Sequence, residues 1–168
     1  SFGLLDFNIP YLGQYGACST MAQGLIMASV FVESEAARLA MCVTSSHFCS
    51  AERQYRFPLE YGGVRTPTAQ WTVTGSGAAV LSKDKGYAYI DSVTTGKIID
   101  MGINDANNMG AAMAPAAAET IINHLKDLKL SPDYYDLIVT IVTPVSPSPY
   151  KPRRYSETRG CFLNLSCT

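Results

Sequence analysis

At 168 residues, with 47% hydrophobic and 16% charged side chains, the chain has the size and balance of one globular domain with a real core. A net charge of −1 leaves no basic face for nucleic acid, and no apolar run reaches the ~18 residues that span a bilayer. Five cysteines without a C-x-x-C pair, and two histidines at no metal-ligand spacing, argue against a zinc site and a disulfide framework and fit a reducing cytosol.

Strand and helix signals alternate, as in α/β proteins. Residues 2–7 look like the end of a helix. Ile9-Pro10-Tyr11-Leu12 predicts a short strand, and Ser19 to Glu33 a buried helix whose small residues (Ala22, Gly24, Ala28, Ser29) suit close packing on a sheet. Arg38 to Thr44 predicts a buried strand, followed by a long polar and aromatic loop, Ser45 to Pro67. Trp71 to Leu81 predicts a strand with glycines near its middle, where another backbone can approach. Lys83 to Gly86 predicts a hairpin turn, with Tyr87 to Met101 as the extended partner. Met109 to Leu128 predicts a helix capped by Asn107 or Asn108, with Pro115 in its first turns. Asp136 to Val142 predicts a last strand. Residues 143–168 carry four prolines and no apolar period, and predict an irregular tail.

The turn Gly16-Ala17-Cys18-Ser19-Thr20 carries the strongest chemical signal. Small residues between a strand and a helix put Cys18 at the helix's first turn, where unpaired N–H groups and the helix dipole favour an anion and a thiolate. A cysteine buried in a tight βα turn is the plain structural alternative. The loop after the second strand offers Ser45, Ser46, His47, Arg53 and Arg56, which suit a carboxylate ligand. Hydroxyls that cap turns, and arginines that pair with Glu52 and Glu60, explain the same residues structurally. His47 could serve Cys18 as a base. His124, beside Asn123 and Lys126, predicts a solvated surface residue.

Six motifs in order carry a family resemblance: Tyr15 to Thr20, Ser45 to Phe48, Ala51 to Pro58, Glu60 to Gly63, Pro67 to Gly75, and Asn108 to Ala118. Together they resemble the stage V sporulation protein AD family over about residues 5–140. The resemblance implies a thiolase-like α/β fold with a mixed sheet packed by helices. That fold is incomplete here: about one βαβ-type half plus the start of the second. It implies a partial domain at 1–142 and, where the likeness ends, a tail at 143–168 that a reading-frame slip near codon 140 would explain. It also implies a sporulation protein that binds dipicolinic acid (pyridine-2,6-dicarboxylate) for uptake into the forespore. Such a protein works with membrane proteins of the uptake complex, without a cofactor, at the cytoplasmic side of the spore membrane, with a homodimer as one assembly open to it. Cys18 occupies the position of the nucleophile of thiolases and ketoacyl synthases.

Three readings follow. The first is a binding protein using Cys18, Ser19, Ser46, His47, Arg53 and Arg56, without catalysis. The second is an acyltransferase with Cys18 as nucleophile. The third is a truncated remnant with an open sheet edge and exposed apolar surface.

Overall fold

The computed structural model describes residues 2–47, 74–84, 86–105, 108–135, 137–140 and 161–163. It is a mixed α/β arrangement of two long helices, an antiparallel strand pair and a short parallel pair.

Phe2–Phe7 forms a 3-10 helix. The expected strand at Ile9–Leu12 does not form, and Ile9, Tyr11 and Leu12 stand exposed. Pro10 has no amide to give to a ladder, and no described strand pairs with this stretch. The first long helix, α1, spans Thr20–Glu33, one residue from the expected start. It buries Ala22, Ala28 and Val32. It ends where Glu35 takes φ 61, the left-handed conformation that closes many helices.

Strand β1, Leu39–Ser46, pairs antiparallel with β2, Gly75–Ser82, from Leu39↔Ser82 to Ser46↔Gly75. Alternation along β1 turns Cys42 inward and leaves Leu39, Met41 and Val43 exposed on the opposite face. The strand expected to be buried is therefore covered by α1 on one side. Close approach is possible because α1 presents Gly24 here: a Cβ at that position would fall on Cys42 Sγ. The Cys42 thiol donates to Met21 O at 3.2 Å. Burial pushes that thiol's pKa up, so it stays neutral in this packing.

The expected hairpin between 71–81 and 87–101 is replaced by the β1–β2 pair, and residues 86–105 form neither helix nor strand. Lys83 Nζ reaches Glu35 at 3.3 Å and Glu33 at 4.0 Å, so the end of β2 lies beside the end of α1. Beyond it, Ser92 and Thr94 are half-buried while Asp91, Val93 and Thr95 are exposed. The Thr94 hydroxyl goes to His124 of the second helix and the Ser92 hydroxyl to Tyr135, rather than to a ladder.

That helix, α2, spans Met109–Asp127. Asn108 caps it by accepting from Ala111 N at 3.2 Å, as one of the two expected caps; Asn107 lies outside the described residues. Met113, Ala116, Ala117, Thr120 and His124 make one buried stripe at helical spacing. His124, expected at the surface, is 1% exposed. Strand β3, Leu137–Val139, occupies part of the expected last strand. It pairs in parallel with β4, Cys161–Leu163, so part of the tail expected to be irregular supplies a strand.

Candidate functional site

The turn ahead of α1 is built by its own hydroxyls. Ala17–Ser19 forms a single 3-10 turn and α1 follows at Thr20. Ser19 Oγ donates to Gly16 O at 2.6 Å and Thr20 Oγ1 to Ala17 O at 2.8 Å, while Gly16 N–H donates to Thr20 Oγ1 at 3.1 Å. The Ser19 and Thr20 amides bind back to Gly16 O and Ala17 O. Three amides near the helix start are thus engaged within the turn. Gly16 packs against the side-chain amide of Gln23, which would have to swing aside for a Cβ there. Cys18 is exposed and Ser19 is buried beneath it. The thiol sits just ahead of the helix, as the turn's spacing predicts, although the segment before it is not a strand.

Two anchors orient this turn against the sheet. The first turn of α1 meets the middle of β1 through Met21 and Cys42. The last turn meets the opposite end through Lys83, which follows Ser82, the partner of Leu39. Helix and strand therefore run antiparallel, and the carboxyl end of β1 lies toward the Cys18 turn. Ser46 and His47 are exposed at that end. The structure brings Cys18, Ser46 and His47 to one end of the α1–sheet layer. Arg53 and Arg56 lie outside the described residues. Among those described, no three of His, Cys, Asp and Glu are grouped to hold a metal.

Sequence reasoning missed a second polar cluster. His124 Nδ1 lies 2.8 Å from Thr94 Oγ1, and its Nε2 lies 2.6 Å from Tyr135 Oη. Burial lowers the His124 pKa from its ordinary value, partly opposed by Asp127. Burial pushes the Tyr135 phenol up; a hydrogen bond from Ser92 works the other way, and Tyr134 and Asp91 add to the rise. The cue was present in the spacing. His124 completes the stripe begun by Met113, whereas its sequence neighbours Asn123 and Lys126 point to other faces.

The model of the family described as stage V sporulation protein AD matches residues 1–142. The chain belongs to that family. Stage V sporulation protein AD of Bacillus subtilis (strain 168) is 52% identical over 133 residues, which cover 79% of this chain and 39% of the relative. The chain thus spans well under half the length of the curated relative it matches. All of α1, β1, β2, α2 and β3 fall within the family match, and β4 falls beyond it.

Proposed function

We propose that this stage V sporulation protein AD family chain carries part of a binding site for dipicolinic acid, in a protein that serves the ligand's uptake into the forespore. The carrying observation is an exposed Cys18 on a hydrogen-bonded turn, at the end of the layer where Ser46 and His47 also stand exposed. Pyridine-2,6-dicarboxylate is a flat dianion, and recognising it requires hydrogen-bond donors and cations around an apolar slot. In this reading Cys18 is a small polar wall. Ser46 and His47 supply donors, and Arg53 and Arg56 supply charge by bidentate contacts. Ser19, buried and bonded to Gly16 O, holds the turn in shape. The thiolase-like fold is part of the same proposal. So is a peripheral position at the cytoplasmic side of the spore membrane beside membrane proteins of the uptake complex. No helix among the described residues is long and apolar enough to cross a membrane.

Calorimetry of dipicolinate binding to the 168-residue chain tests the site. The wild-type chain is expected to bind, and Cys18→Trp to lose at least tenfold in affinity. Unchanged affinity removes Cys18 from the site, and no binding by the wild-type chain removes the site from this chain. The exposure of Cys18 also supports an acyltransferase reading, in which the thiolate takes an acyl group from an acyl-CoA and releases the CoA thiol. An intact-mass increase matching one acyl group on Cys18 would favour that reading over binding.

A further inference from the structure

Four polar side chains from three stretches of chain meet around α2. Ser92 and Thr94 come from residues 86–105, His124 from the helix, and Tyr135 from the turn before β3. We propose that His124 is a proton-operated latch: as a neutral ring it fastens residues 86–105 and Tyr135 to α2, and as an imidazolium it releases them.

The geometry supplies the argument. The ring is 1% exposed and both its nitrogens have hydroxyl partners within 2.8 Å. One direction of donation satisfies all four groups: Ser92 donates to Tyr135 Oη, Tyr135 donates to His124 Nε2, and His124 Nδ1–H donates to Thr94 Oγ1. A proton added to Nε2 turns that nitrogen into a donor facing a donor. Tyr135 must then accept from the ring and point its own hydrogen elsewhere, and Ser92 must turn as well. The alternative is to break the contact. Water cannot solvate the new charge while the ring stays covered.

The charges of the described residues that face the cluster do not remove this cost. Asp127, one turn further along α2, favours the imidazolium but is itself exposed. Asp91, exposed on 86–105, and Tyr134, packed edge-on to Tyr135 at 5.0 Å, act on the phenol. Residues 86–105 have no ladder of their own. Beside the latch, the described side-chain tie to α2 is Lys97 to Glu119 at 3.4 Å, between exposed groups that contribute little. Among the described side-chain contacts, the segment's hold on α2 is therefore concentrated at one ring.

Limited proteolysis of the whole chain, corrected for the protease's own pH dependence, tests the latch. Protection of residues 88–103 from cleavage is expected to fall at least tenfold between pH 7.5 and pH 5. The midpoint should coincide with the His124 ring titration followed by NMR, where the two histidines give two resonances. His124→Asn should abolish the pH dependence. Tyr135→Phe, which removes the donor to Nε2, should move the midpoint to higher pH and serves equally should His124→Asn fail to fold. Protection that does not change with pH overturns the proposal. So does a pH-dependent loss that persists with the same midpoint in either variant, because that would trace to Asp91 or Asp127.

Discussion

The α1–β1–β2 layer and the α2 cluster bury their contacts by opposite means. In the first, small side chains let a helix lie close to a strand: Gly24 leaves room for the Cys42 sulfur, and Ala22 and Ala28 fill the helix side. In the second, the stripe on α2 ends in two buried polar groups, Thr120 and His124, and His124 takes its partners from irregular chain. The first arrangement is sensitive to volume, and burial keeps its Cys42 thiol protonated. The second is sensitive to the hydrogen-bond inventory and to protons. One chain thus carries a steric lock and a chemical lock side by side.

The largest expected effect breaks the steric side. Gly24→Leu drives a side chain into Cys42 and the strand behind it, so the urea midpoint should fall by the equivalent of about 3 kcal/mol. A cost under about 1 kcal/mol would mean that the helix and strand are not in close contact. Next comes the chemical side: His124→Ala leaves a cavity and strands Thr94 and Tyr135, at about 2–3 kcal/mol.

The pH dependence separates the two. The His124 pKa is lowered in the folded chain from its ordinary 6.5. Its contribution is therefore fully present above about pH 6.5 and is lost as the pH falls toward the folded-state value. Urea midpoints at pH 7.5 and 5.0 should diverge in the wild type more than in His124→Asn, and Gly24→Leu should retain the wild-type divergence. Equal divergence in wild type and His124→Asn would assign the acid sensitivity elsewhere. Smaller effects sharpen the picture at the edges. Asn108→Ala removes the α2 cap at about 1 kcal/mol, seen in the thermal midpoint. Lys83→Met should change stability by no more than a few tenths of a kcal/mol, because its ion pairs with Glu33 and Glu35 are solvated.

The same contrast explains what could be read from the residues alone. Helical periodicity and small-residue content located α1, and an asparagine before an alanine-rich run located the cap and body of α2. Strands were harder. Ile9–Leu12 and Tyr87–Met101 have apolar content, but a strand needs a partner, and pairing is not a local property. The partner of β2 proved to be β1, 29 to 43 positions earlier in register (Ser46↔Gly75 to Leu39↔Ser82). His124 was misjudged from its immediate neighbours, although the residues that bury a helical position lie three and four places away. The Cys18 turn was readable because its cause is local: small residues, two hydroxyls and a helix start. Its orientation against β1 was not readable, because that depends on Met21 meeting Cys42 across the layer.

Ala17, just before the exposed sulfur, holds φ at 48, a region where every side chain with a Cβ is crowded by its own backbone. Mutational tolerance at this position should therefore follow backbone shape rather than polarity. In a saturation library, glycine, asparagine and aspartate should survive, while valine, isoleucine and threonine should be depleted. Any substitution that relaxes this one dihedral would re-aim the neighbouring thiol without touching it.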